Sequence, residues 1–435
     1  MEVDKLLVVA HPDDELLWGG ANLFADSGWF VVCATNANHP VRSVEFYKSM
    51  SYANVTKFVM YDVKDEYTEE ESKADSLFNN SLFDKGLQEL SKHSWKLVLT
   101  HNEEGEYGHE HHRKVHRMVS KYFPSAKFFK AGKHLSPPEF EMKRASLIFY
   151  SKSQDICKKI FNNQGNKLRP LERSNFFNET IYATKSRTIP KLIHQIWFGK
   201  PLDSSSVRAN LISNVEKVAK RNGYEYKLWT NENFKKEMFP LTWEYMEKAL
   251  RLGEELGQSR YAQVADLARY ELLHRFGGVY LDSLFEIGDD FCKYISKHSN
   301  YEIIVANEDP CELNCKGVNG AKYLSNGFFA CVPGCIPLKR LLHPETLKYI
   351  DFESVYINQE TGPYLFRSGI KTRDHVHVIP TSKIYPFMIN DSNYRSGEPN
   401  LCITDDKKIL HNCLITKYKK SLAVYQSGFG GSWSW

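Results

Sequence analysis

The sequence predicts an α/β protein of two domains, and three observations carry this. Strand-length apolar runs alternate with segments of helical period from Lys5 to Lys121. The chain has 435 residues, against a prior of ~150 residues for one domain. A polar stretch with Gly165 and Pro170 precedes a fresh apolar opening at Ile189, and no internal repeat links the halves. The boundaries read from this are 1–187 and 188–435.

The elements follow in order. Lys5–Val9 is a Leu and Val run and reads as a buried strand. A helix over Glu15–Asp26 stops near Gly28. Phe30–Thr35 is a strand, Ser43–Asn54 a helix and Lys57–Tyr61 a third strand. The acidic stretch Asp62–Asp75 has no clear period and reads as an exposed loop or flap. Ser81–Ser91 is helical, Lys96–Thr100 is a fourth strand, and Glu110–Lys121 is a helix. Strands alternating with helices give βαβ units and a parallel sheet. Asn162–Arg173 reads as a loop, and the first domain ends between Tyr182 and Thr188. In the second half, Ser259–Leu272 has apolar residues at helical spacing.

Composition narrows the class. Lys and Arg total 57 against 53 Asp and Glu, for a net charge of +4. The two signs are interspersed, which argues against a nucleic-acid surface. No apolar stretch reaches the ~18 residues of a membrane span, and no signal-peptide pattern precedes the first strand. Nine cysteines without a regular framework fit a reducing compartment, so the cytoplasm is the expected location. Cys311 and Cys315 form one pair and Cys331 and Cys335 another. Their spacing is not the two-residue zinc knuckle, so they read as ordinary thiols.

Two motifs carry chemistry. Ala10-His11-Pro12-Asp13-Asp14-Glu15 ends the first strand, and Gly108-His109-Glu110-His111-His112 opens the last helix of the series. Open α/β sheets place their sites at the carboxyl ends of strands. Two histidines and an aspartate make a three-ligand zinc set with an open position, as a hydrolytic metal needs. A further aspartate is then left over as a base.

This pair of motifs resembles the PIG-L/LmbE family of zinc-dependent N-acetylglucosamine deacetylases, over about the first 185 residues. The resemblance implies a Rossmann-like α/β/α sandwich in which His11, Asp14 and His112 hold Zn²⁺. It implies that Asp13 is the general base and His109 the acid or charge stabiliser. Arg42 and Glu45 resemble the family's Arg-x-x-Glu element, with Arg42 touching substrate. His111 departs from the pattern, which has Asp or Asn there; that bears on the tuning of His109. His116, four residues after His112, shares its helical face and is a candidate to support it, although both His111 and His116 also read as plain loop or surface residues.

The second half has its own signature: Ile-His-Gln-Ile-Trp up to Trp197, Leu228-Trp229-Thr230, Ala265-Asp266-Leu267-Ala268-Arg269-Tyr270, Phe276-Gly277-Gly278-Val279-Tyr280-Leu281-Asp282 and Thr361-Gly362-Pro363. It resembles the glycosyltransferases with an Asp-x-Asp region, a family that includes yeast-type initiating mannosyltransferases and the glucosylating domains of large clostridial toxins. The resemblance implies a GT-A-like fold and a nucleotide sugar, a UDP-sugar or GDP-mannose, as partner. Trp197 would stack on the base, Asp266 and Arg269 would face the donor sugar and phosphates, and Asp282 would contact ribose or sugar. Ser432 and Trp433 would close over the diphosphate.

One position departs from that family. The second acid, a direct ligand of Mn²⁺ or Mg²⁺, is replaced by Leu284, and a leucine offers no oxygen. Three readings stay open. Basic groups hold the diphosphate without metal; Glu286 substitutes, working with Asp282; or transfer is lost and only glycan or nucleotide binding is kept. The expected whole is a bifunctional carbohydrate-modifying enzyme. It would deacetylate an N-acetylglucosamine-containing glycan or glycoconjugate and transfer sugar from a nucleotide sugar. The alternative is a deacetylase fused to a transferase-derived binding domain.

Overall fold

The structure is a computed structural model that describes residues 3–65, 78, 81–162, 170–182, 187–199, 201–204, 206–308, 324–354, 357–371, 374–386 and 420–425. The chain divides into two compact units, Met1–Ser186 and Arg187–Trp435. The architecture is mixed α/β, as the alternation predicts. Among the described residues no helix is long and apolar enough to cross a membrane.

The first unit is built on a parallel sheet of β1 (Lys5–Val9), β2 (Trp29–Thr35), β3 (Lys57–Val63), β4 (Leu97–Thr100) and β5 (Lys127–Phe128), in the order β3-β2-β1-β4-β5. All five residues of β1 are buried, as expected of a central parallel strand covered on both faces. Leu6, Val8, Val32 and Val98 meet Val115 and Val119 of the helix Glu110–Tyr122 and Phe83 and Leu87 of the helix Leu82–Leu90 in one apolar core. Strand order reverses between β1 and β4, so a crevice opens at their carboxyl ends.

Two elements differ from expectation. The single helix over Glu15–Asp26 is two pieces, Asp14–Leu17 and Gly20–Ala25. The Gly19-Gly20 pair has poor helix propensity, and a Cβ at Gly19 would lie 3.0 Å from the Phe129 ring. The loop over Asn162–Arg173 overlaps a helix, Pro170–Phe177, which leads into β7 (Asn178–Glu179), paired with β6 (Lys133–His134). The acidic stretch begins as strand, since β3 runs on to Val63; residues 66–75 lie outside the described residues.

The second unit holds a mixed sheet of β8 (Leu192–Ile196), β9 (Glu225–Trp229), β10 (Gly278–Leu281), β12 (Ile303–Asn307), β13 (Leu324–Cys331) and β14 (Val376–Ile379), in the order β14-β12-β13-β10-β8-β9. β13 runs antiparallel to both neighbours. A small pair, β11 (Phe285–Ile287) with β15 (Ala423–Tyr425), stands beside it. The helix Tyr261–Phe276 is buried over most of its length, its polar Gln263, Asp266, Arg269, Glu271 and His274 included. It hands the chain to β10 through Gly277 and Gly278, both at positive φ.

Candidate active sites

The first cleft, of about 260 Å³, lies at the carboxyl ends of β1 and β4 and is lined by His11, Asp13, Asp14, Arg42, Asp65 and His109 among others. The turn after β1 places two acids in it. Asp13 takes φ 113°, a conformation that costs a non-glycine residue about 1–3 kcal/mol. The turn is held by Glu15, which accepts from the Asp13 N–H at 3.0 Å, from Ser49 Oγ at 2.8 Å and from Tyr150 Oη at 2.6 Å. Glu15 is thus a buried brace, and burial pushes it up to about 7. Burial, and then the Asp14 carboxylate, push Asp13 well above the usual range.

Asp14 is the centre of the donor set. Its Oδ2 accepts the His11 N–H at 2.8 Å and lies 3.3 Å from His11 Nδ1; its Oδ1 lies 3.3 Å from His112 Nε2 and accepts from Trp18 Nε1 at 3.1 Å. His112 Nδ1 donates to Glu106 Oε2 at 2.6 Å, so in the neutral ring Nε2 carries the lone pair. That nitrogen is buried and has no hydrogen-bond partner among the described residues. Nε2 facing a carboxylate oxygen calls for a cation between them, either a proton, which against the opposing effect of burial Asp14 favours by raising His112, or a metal ion. The spacing also suits tetrahedral zinc, whose ligand atoms at ~2.0–2.1 Å from the metal sit about 3.3 Å apart. The donor atoms of His11, His109 and His112 fall within 4.8 Å of one another, as do those of Asp14, His101 and His112. The residues present therefore fit a divalent metal.

Carboxylates behind the histidines fix their rings, as in metal sites generally. Glu106 Oε2 also accepts from His101 Nδ1 at 2.7 Å, while the Ala10 N–H donates to His101 Nε2 at 3.0 Å. That bond uses the lone pair of His101, which braces rather than ligates. Asp65 Oδ1 accepts from His11 Nε2 at 3.0 Å, turning Nδ1 toward Asp14. Arg42 bridges the rim: Nη1 donates to Asp65 Oδ2 at 2.9 Å and Nη2 to the Pro12 carbonyl at 2.8 Å, with Asp13 Oδ1 3.8 Å away. Glu45, its motif companion, faces elsewhere and accepts the Lys152 and Ser153 N–H groups.

His109 lines the cleft, its ring 4.7 Å from those of both His11 and His112. Burial, then the His11 charge, lower it to about 3, so the ring is neutral at rest. His111 is not a loop residue. It is fully buried, and its Nδ1 lies 3.1 Å from His11 Nε2, so it bears on His11 more closely than on His109. His116 pairs with the His101 carbonyl at 2.9 Å and buttresses the end of β4.

The second cleft, of about 470 Å³, belongs to the C-terminal unit and is lined by Trp197, Arg208, Arg269, Asp282 and Leu284 among others. The separated motif pieces meet here. Thr361 Oγ1 donates to Asp266 Oδ2 at 2.9 Å and Asn326 Nδ2 to its Oδ1 at 2.8 Å. Arg269 lies 3.3 Å from Asp266 and 3.1 Å from Asp282, and Tyr280 Oη donates to Asp282 Oδ1 at 2.8 Å. Asp266 is fully buried, with both oxygens engaged, and does not face the cleft. It positions Arg269.

Leu284 lies in the turn after β10, not on a strand with Glu286, which is buried on β11. The two therefore share no strand face, and Glu286 is not among the residues that line the cleft. Among the described residues, no group of three metal-donor side chains forms in this unit. Ser432, Trp433, Cys311 and Cys315 lie outside the described residues.

The first unit is thus an open parallel α/β sheet with a histidine–carboxylate metal-donor cluster at its switch point. Residues 6–123 match the family PIG-L: GlcNAc-PI de-N-acetylase, and the N-terminal unit carries a PIG-L domain. The chain is 28% identical over 176 residues to uncharacterized protein L374 of Acanthamoeba polyphaga mimivirus, covering 36% of this chain and 75% of that one. It is 30% identical over 112 residues to inositol phosphoceramide mannosyltransferase 3 of Schizosaccharomyces pombe, covering 26% of this chain and 29% of that protein. The solved PaToxG glycosyltransferase is similar at a TM-score of 0.30 and 18% identity, over 42% of this chain and 69% of that one.

Proposed function

We propose that the N-terminal unit is a zinc-dependent deacetylase of N-acetylglucosamine-containing glycans or glycoconjugates. The observation that carries this is the convergence of buried His112 Nε2 and His11 Nδ1 on the Asp14 carboxylate, each at 3.3 Å, beside Asp13 in an open cleft. His11, Asp14 and His112 would hold the ion. Zinc bound there supplies Lewis-acid polarisation of the acetamide carbonyl and a lowered pKa for water. Asp13, held above the usual carboxylate range, takes the proton of the attacking water. Asp13 then returns that proton to the departing amine, while neutral His109 stands over the same cleft and donates its N–H as a hydrogen bond to the developing negative charge. Arg42 clamps the rim and orients the sugar.

Mutagenesis with two readouts tests this. His11→Ala and His112→Ala should each lose most of the zinc by elemental analysis. Asp13→Asn should keep the zinc, with acetate release lowered by ~10²–10⁴-fold, the usual contribution of a general base. Full zinc in both histidine variants would remove the ligand assignment; near-normal acetate release from Asp13→Asn would move the base elsewhere.

For the C-terminal unit the proposal is a nucleotide-sugar cleft, with Trp197, Arg269 and Asp282 at the ligand and sugar transfer as its reaction. Leu284 favours a second reading, a cleft that binds nucleotide or glycan without transfer. Nucleotide release from a UDP-sugar or GDP-mannose panel, with and without N-acetylglucosamine-terminated glycans, separates the two. The reducing cytoplasm is the proposed setting, in keeping with the buried free thiols Cys33, Cys157, Cys292, Cys331 and Cys335.

A further inference from the structure

The second cleft has a leucine where the Asp-x-Asp pattern has its second acid, and an arginine close by. Leu284 stands in its wall, 3% exposed, where an oxygen ligand is expected. Asp282 is already committed, through the Arg269 ion pair and the Tyr280 hydroxyl. Arg208 comes from another element, the first turn of the helix Val207–Arg221. Its guanidinium lies 4.5 Å from the centre of the Trp197 ring. Its Nη1 donates to Ser283 Oγ at 3.1 Å, between Asp282 and Leu284 in sequence. The side chain is thus fixed at both its flat face and its edge, and it lines the cleft.

A guanidinium held this way is suited to phosphate oxygens, because its planar donors form charge-assisted hydrogen bonds. The helix start adds partial positive charge from its N–H groups. Burial also disfavours the Arg208 cation, and an anionic ligand would offset that.

Resting on the reading of this cleft as a nucleotide site, we infer that it binds a nucleoside diphosphate without a divalent cation, with Arg208 supplying the positive charge that Mn²⁺ or Mg²⁺ supplies in an Asp-x-Asp site. The diphosphate lies against Arg208 and Arg269, on the side of the cleft bounded by Ser283 and Leu284.

Titration calorimetry on the full chain tests this, with UDP, GDP, uridine and guanosine as probes, each in EDTA and in Mn²⁺. The expected result is diphosphate binding that changes by less than about twofold between the two conditions. Arg208→Gln keeps a flat amide over Trp197 and removes the charge. It should weaken the diphosphate by about tenfold or more, the worth of one charged hydrogen bond, and leave the matching nucleoside within about twofold. Arg208→Lys should recover part of the loss, and melting temperatures near the parent's show that both variants fold. Strict Mn²⁺ dependence of the parent overturns the inference. So does an equal loss of nucleoside and diphosphate in Arg208→Gln. If none of the four probes binds in either condition, the nucleotide reading itself falls, and this inference with it.

Discussion

At the scale of single residues, one oxygen organises the histidine–carboxylate cluster. Glu106 Oε2 takes hydrogen bonds from both His101 and His112, which sets the tautomer that points His112 Nε2 at Asp14. Glu106→Gln should therefore lower zinc affinity by 10–100-fold, the usual effect of losing such a partner, as measured by competition with a chelating dye. Unchanged affinity would mean that packing alone fixes the ring. In the other unit, Leu284→Asp should make UDP or GDP binding respond to Mn²⁺, since it restores a carboxylate ligand; equal affinity with and without Mn²⁺ would show that the position has no room for an ion. His11, Asp13, Asp14, His109 and His112 were legible because they lie in two short runs at element ends. Glu106, His101 and Asp65 were not. Each acts through a contact that no local spacing signals, and Asp65 sat in a stretch that read as a flap.

At the scale of elements, patterning identified the strands because parallel strands buried on both faces are continuous apolar runs. It failed at Gly19-Gly20, where close packing on Phe129 breaks a helix that the period alone continues. The entry into β10 is another close approach. Gly278 has φ 94°, and a Cβ there would fall 2.4 Å from the Leu192 carbonyl oxygen on the neighbouring strand. Gly278→Ala should cost at least about 1–2 kcal/mol, from the positive φ together with the clash. Urea denaturation followed by fluorescence reads this directly, and an unchanged midpoint would show that β8 and β10 separate freely.

At the scale of the whole molecule, pH sets the stability of the C-terminal unit through a buried histidine. His194 donates from Nε2 to the Gly277 carbonyl and accepts from Trp229 Nε1, so the ring must be neutral. Burial lowers it from 6.5 to about 4. A lowered pKa means that the stabilising contribution is complete above pH 6.5 and is lost as pH falls toward 4. It amounts to about 3 kcal/mol over that window. Glu271, raised by burial to about 7, acts in the opposite sense, so the test compares parent and variant. His194→Gln should show a shallower loss of stability from pH 7 to pH 4.5 than the parent, and equal slopes would contradict the assignment.

The chain of contacts Ala10–His101–Glu106–His112 ties the end of β1, the end of β4 and the start of the helix Glu110–Tyr122 to one another. The two motifs that announce this chemistry are therefore not self-sufficient modules. Grafted onto another parallel sheet without a histidine at the second strand end and an acid six positions ahead of the last histidine, they would keep every ligand and lose the registration between them. The same reasoning gives a sharper filter for recognising other chains that share this arrangement. The diagnostic word has four letters rather than two, and its silent half, His101 and Glu106, works by holding the other half in register.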